Sequence, residues 1–179
     1  MIRVVRGELA AAAVDAVLRP VSAEWEPVTP AMRRLEQAAG DELRAHCARL
    51  GELPVGSATI TPAGAIVARF MVHGIVRSAD EPVSEVSVRR ALQNGLRRLQ
   101  EWGLERAALP PFGTGAGNLD AEDVARLMVD VCYEHAALAD YPTALEVYVE
   151  SDYEADAFER ALDARALPLL SDPDEPSRT

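Results

Sequence analysis

Pro110-Pro111-Phe112-Gly113-Thr114-Gly115-Ala116-Gly117-Asn118-Leu119-Asp120 is the stretch that decides how this chain folds. The residues ahead of it, Arg106–Leu109, read as a buried strand. The residues behind it, Ala121–Leu138, read as a helix capped by Asp120. Between them, three glycines in five residues let the backbone turn tightly and approach a ligand closely. A strand, a glycine loop and a helix start in succession expose unpaired N–H groups of the kind that hold a phosphate, and Thr114 adds a hydroxyl. The spacing fits neither a P-loop nor a dinucleotide fingerprint, because Gly-Lys-Ser/Thr and G-x-G-x-x-G are both absent. An anion-binding loop and a plain strand-to-helix turn both remain open from these residues alone.

Working outward, the alternation in Ile2–Arg6 reads as a first strand and Val14–Leu18 as a second, with Arg19–Pro27 as a loop. Thr29-Pro30 marks a helix start, Thr as cap and Pro at the first helical position. The helix is expected to run from Pro30 to Leu50, with Met32, Leu35, Ala39, Leu43, Cys47 and Leu50 on its apolar stripe. Ser57–Thr61 and Ile66–His73 flank Pro62-Ala63-Gly64 as a hairpin. Ser84 caps the next helix, whose buried face is expected to hold Val88, Leu92, Leu96, Leu99 and Trp102. Leu145–Glu150 reads as a last strand and Asp152–Arg165 as a last helix. Strands alternating with helices imply a sheet covered on both faces, and the hairpin makes that sheet mixed. The expected unit is a single domain over residues 1–166, followed by an acidic, proline-containing disordered tail over 167–179.

The totals limit the function. The 179 residues suffice for a real core, and 49% of them are apolar. No window reaches the ~20 apolar residues of a membrane span. Strand-like residues from Ile2 onward leave no room for a signal peptide, so the expected location is cytoplasmic. A net charge of −11 argues against broad nucleic-acid or anionic-membrane binding. All 18 basic residues are arginine, which reads as the bias of a GC-rich genome and leaves no lysine nucleophile. Cys47 and Cys132 read as buried thiols. No spacing resembles a metal site or a Ser-His-Asp arrangement, so no metal, cofactor or catalytic residue is assigned. His73, at a strand end, reads as a structural histidine, and His46 and His135 as packing residues.

Several of these segments together resemble the macro domain family. Val5-Arg6-Gly7-Glu8-Leu9 is similar to its first-strand exit and Val14-Asp15-Ala16-Val17 to its second strand. Val55–Gly64 followed by Val72-His73-Gly74 is similar to its central hairpin, and Pro110–Asp120 to its phosphate loop. The resemblance runs from about Ile2 to about Leu162 and suggests a divergent bacterial-type member. It implies a three-layer α/β/α sandwich with a central mixed sheet and ADP-ribose bound over the C-terminal ends of the strands. The ligand residues it implies are Gly113, Thr114, Gly115, Ala116 and Gly117 in the loop, with Glu8 and Leu9 at the first-strand exit. Arg19, Ser22 and Phe112 complete the set.

The same resemblance marks where this chain departs. After the second strand the family has Asn-Ala-Ala-Asn and a glycine-rich loop. Here the positions read Arg19-Pro20-Val21-Ser22 and Glu24-Trp25-Glu26-Pro27-Val28-Thr29-Pro30. In the family that segment holds the distal ribose and part of the diphosphate, and in hydrolysing members it orients the attacking water. Pro30 has no N–H to offer, Thr29 as a cap occupies another donor, and Glu24 and Glu26 are expected to bring like charge near the diphosphate. Arg19 is the compensating cation. Glu8 reads either as the acceptor for an adenine amino group or as a solvated turn acid. Ser22 reads as a ribose contact or a turn serine, Phe112 as a ribose-packing or core residue, and Tyr153 as the nearest aromatic to stack on adenine.

These residues point first to binding of ADP-ribose or a related nucleotide through Gly113–Gly117, without hydrolysis. The alternatives are a degenerate scaffold acting in protein interaction or as a homodimer, which an exposed Trp25 would support, and an ADP-ribosyl hydrolase.

Overall fold

The computed structural model describes residues 1–115 and 119–166. The last two residues of the expected loop, Ala116 and Gly117, and the 167–179 tail lie outside the described residues. Six strands form one sheet: β1 (Ile2–Arg6), β2 (Ala16–Ser22), β3 (Ala58–Pro62), β4 (Phe70–Arg77), β5 (Arg106–Leu109) and β6 (Ala144–Val149). Their order across the sheet is β1-β6-β5-β2-β4-β3. Every neighbouring pair is parallel except β3 against β4. The helices are α1 (Pro30–Ala39), α2 (Asp41–Leu50), α3 (Glu85–Glu101), α4 (Ala121–Ala136) and α5 (Asp152–Ala166).

Strand β2 shows how the layers are set. Its seven residues are all buried, as a central parallel strand requires. Leu18 points at Gly95 of α3, where a Cβ would meet its Cδ1 at 2.6 Å. The next residue, Arg19, points the other way and pairs with Glu36 of α1. Alternation along one strand therefore separates the α1–α2 layer from the layer of α3, α4 and α5. The result is a mixed sheet between two helical layers.

Three expectations change. Arg19–Ser22 is not loop: β2 continues through it, paired with β4 from Ala16 to Ser22. Pairing with β5 covers only Ala16 and Val17, so Pro20 stands beyond that ladder, where its missing N–H is tolerated. The helix expected from Pro30 to Leu50 is two helices, because Gly40 takes φ +87° and turns the chain between them. The apolar stripe crosses this break through Leu35, Ala39, Leu43 and Cys47, all buried, whereas Leu50 is exposed. Finally, the buried face of α3 ends at Leu99, and Trp102, at the C-cap just past Glu101, is 53% exposed and edge-on to Phe70.

Caps follow the local sequence. The Thr29 hydroxyl accepts from Met32 N–H, Ser84 and Ser87 form a reciprocal capping box, and Asp120 accepts from Glu122 N–H. No helix among the described residues is long and apolar enough to cross a membrane.

Candidate functional site

A cleft of about 200 Å³ opens at the C-terminal ends of β1, β6 and β5. One wall is the β1 exit, Gly7 to Ala10. The second is the start of α1, from Thr29 to Met32, with Leu35 one turn on. The third is Pro110, Pro111, Thr114 and Gly115. Tyr148 and Glu150 from the end of β6, and Glu154 from α5, complete it. The C-terminal edge of a parallel sheet is where open α/β folds place their ligands.

The glycine loop and α1 face each other closely. Gly115 has φ +80°, and a Cβ there would lie 3.5 Å from Thr29 Cγ2. Thr114 Oγ1 donates to Glu154 Oε1 at 3.3 Å, and the Glu150 N–H donates to Glu154 Oε2 at 3.2 Å. At the start of α1, Pro30 has no N–H and Met32 N–H is taken by Thr29. Ala31 N–H is then the first-turn donor not taken within the described residues. Tyr148 lies against Gly7, 3.6 Å from a Cβ built there, and its hydroxyl donates to Glu146 Oε2 at 3.3 Å. Arg3 and Arg106 both reach Glu146 and hold its carboxyl below the usual range against the opposing effect of burial.

Of the sequence-expected ligand residues, Glu8, Leu9, Thr114 and Gly115 line the cleft. Gly113 does not. Its φ is +91°, and a Cβ there would meet Leu119 at 2.8 Å and Val88 at 3.0 Å, so it turns the chain inside the apolar layer. Phe112 is fully buried beside Gly74, and its N–H donates to Met128 Sδ; it is core and not a cleft residue. Ser22 is buried with its hydroxyl accepting from Glu26 N–H, within a turn where Trp25 N–H also returns to Ser22 O. The segment after β2 thus closes on itself. Glu24 is turned away to accept from Ala79 N–H, a bond that leads the causes lowering its pKa, and Glu26 lies near Arg77. Neither acid is in the cleft.

Arg19 is not a cleft cation either. It is 1% exposed, and its Nη1 pairs with Glu36 Oε2 at 2.9 Å while its Nε donates to His73 Nδ1 at 2.9 Å. With Nδ1 accepting, His73 carries its proton on Nε2, which faces Thr61 Oγ1 at 2.9 Å; the Thr61 hydroxyl in turn donates to Pro62 O. Cys47 Sγ lies 4.0 Å from His73 Nε2. Trp25 sits edge-on to His73 and donates to Gly51 O, half-buried where an exposed side chain would have favoured an interaction surface. Burial, then the Arg19 and His46 charges, push the His73 pKa well down, and burial raises both thiols, Cys132 to about 12. This network is a closed structural unit.

Sequence reasoning passed over Tyr148 in favour of Tyr153. Tyr153 is exposed on α5, within reach of Asp120, and does not line the cleft. The usable signal was the alternation of β6: Leu145, Val147 and Val149 form its core face, leaving Tyr148 and Glu150 on the other. Among the described residues, no cluster of His, Cys, Asp or Glu is arranged to hold a metal ion.

The order of elements defines a three-layer α/β/α fold with a cleft over the strand ends. Residues 31–128 match the model of the macro domain family, which covers more than half of the chain. The chain belongs to the macro domain family. It is similar to the macrodomain of Oceanobacillus iheyensis solved with ADP, with a TM-score of 0.82 and 16% identity over 92% of this chain and 90% of that one. A variant of that macrodomain was solved with ADPR. An uncharacterized protein of Aeropyrum pernix is 32% identical over 123 residues, 67% of this chain and 64% of the relative. An uncharacterized protein of Mycobacterium tuberculosis is 29% identical over 151 residues, 84% of this chain. The chain spans only 40% of that mycobacterial relative's length.

Proposed function

We propose that this chain binds ADP-ribose or a related adenine nucleotide in the cleft between the glycine loop and the start of α1. The observation that carries this reading is the position of Thr114 and Gly115 opposite Thr29 and Ala31 over the strand ends, where open α/β folds take their ligands; a macrodomain of similar fold was solved with ADP. Backbone N–H groups of the loop and the Ala31 N–H face the diphosphate, Tyr148 offers a flat ring to the base, and Glu8 accepts from its amino group. The reading is binding without hydrolysis. The segment after β2, which positions water in hydrolysing family members, is here folded back through Ser22 and Glu26.

Calorimetric titration with ADP-ribose, with ADP and inorganic phosphate alongside, tests it. Micromolar binding of ADP-ribose supports the reading. No heat with any of the three ligands overturns it and favours a protein-interaction role. Release of ADP-ribose from a modified protein substrate would instead make the chain a hydrolase.

A further inference from the structure

The charge of the cleft runs against a diphosphate ligand. Its described lining contains three carboxylates, Glu8, Glu150 and Glu154, and neither arginine nor histidine. Residues 116–118 read Ala-Gly-Asn and add no charge. From α1, a guanidinium reaches the rim. Arg34 lies one turn beyond Pro30 and Ala31 on α1, on the same helix face as those two lining residues. Its Nη2 donates to Glu150 Oε1, linking α1 to the end of β6 across the cleft. Glu150 is itself tied to Glu154 through its N–H, and Glu154 to Thr114 of the glycine loop.

We infer that Arg34 and Glu150 form an anion-exchange latch, in which an incoming diphosphate takes Arg34 from Glu150. This rests on the reading of the cleft as a nucleotide site. The Arg34 side chain is 49% exposed and that of Glu150 55%, so the pair is screened by water and costs little to open. A diphosphate also offers the guanidinium fork a pair of oxygens for two parallel hydrogen bonds, and it carries two negative charges where the carboxylate carries one. Exchange also carries the ligand's charge to a cation at the rim and frees the Glu150 carboxylate to swing into solvent. Arg34 therefore selects for the phosphate-bearing part of the ligand, and Glu150 sets the threshold an anion must exceed.

The test is a double-mutant cycle on ADP-ribose affinity with the full chain, using Arg34→Gln, Glu150→Gln and the double variant. Arg34→Gln is expected to weaken binding roughly tenfold and Glu150→Gln to tighten it roughly fivefold, each the size of one charge-assisted contact. In the Arg34→Gln background the gain from Glu150→Gln is expected to vanish, because no guanidinium remains to be released. A structural salt bridge alone would move both single variants in the same direction. Single variants that shift together, additive opposite shifts, or affinities within about twofold of the parent all overturn the latch while the nucleotide site stands. A parent chain that binds no ADP-ribose overturns the site and the latch with it.

Discussion

Arg19 on β2 and His73 on β4 are register partners across adjacent parallel strands, and the Arg19 Nε donates to His73 Nδ1 at 2.9 Å in a fully buried setting. Glu36 closes the other side of the guanidinium and so ties α1 to the sheet. Because α1 begins at the cleft wall, this buried pair sets where Thr29, Pro30 and Ala31 stand relative to the glycine loop.

Breaking that tie has a directional cost. Arg19→Met leaves the Glu36 carboxylate without its partner and is expected to lower stability by about 3 kcal/mol or more. The double variant Arg19→Met/Glu36→Leu removes the orphaned charge and is expected to regain part of the loss. Urea unfolding of the parent and both variants checks this, and a double variant less stable than the single one contradicts it.

His73 makes stability fall on mild acidification. Its folded-state pKa lies well below 6.5, from burial first and then from the charges of Arg19 and His46. The unfolded chain therefore binds more protons as pH drops below 6.5. The stability it contributes is fully present above pH 6.5 and is lost as pH falls toward the folded-state pKa, at about 1.4 kcal/mol per pH unit. Unfolding free energies between pH 8 and about 5 are expected to show this slope, and His73→Gln to flatten it. The loss from Glu146, whose folded-state pKa is below 4.5, comes at lower pH still.

Gly64 admits no side chain. It has φ +72°, and a Cβ would lie 2.2 Å from the Ala39 carbonyl oxygen, which also accepts from Ala65 N–H at 2.9 Å. The β3–β4 connection thus docks against the end of α1 through backbone. Gly64→Ala is expected to cost about 2 kcal/mol or more, read from a lowered urea midpoint at unchanged slope.

Two cleft substitutions separate base from phosphate contacts. Tyr148→Phe keeps the ring and is expected to leave ADP-ribose affinity near that of the parent, whereas Tyr148→Ala is expected to weaken it about tenfold. Gly115→Glu, which fills and charges the space beside Thr29, is expected to abolish binding; its fold is checked by circular dichroism. Retained affinity in Gly115→Glu would remove this loop from the site.

Much of the fold was legible because its signals are local. The alternation of Ile2–Arg6, the apolar run of Arg106–Leu109, the caps at Thr29, Ser84 and Asp120, and the spacing of Val88, Leu92, Leu96 and Leu99 each depend on residues a few positions apart. The misread segments depend on distant partners. Arg19-Pro20 looks like loop until β4 is placed beside it. Met32 to Cys47 looks like one helix because Gly40 interrupts the backbone without interrupting the apolar stripe.

By itself, the sequence determined the order of strands and helices, the glycine turn between β5 and α4, and which helix faces are apolar, since periodicity and capping are properties of neighbouring residues. Only the tertiary structure decided what the polar residues do. Arg19, Ser22 and Phe112 have the chemistry of ligand contacts, yet they are consumed by His73 and Glu36, by Glu26, and by the core around Gly74. Tyr148, Glu150, Glu154 and Arg34 were brought to the cleft by strand register and helix packing. A polar side chain acts on whatever it faces, and what it faces is set by elements far away in the chain.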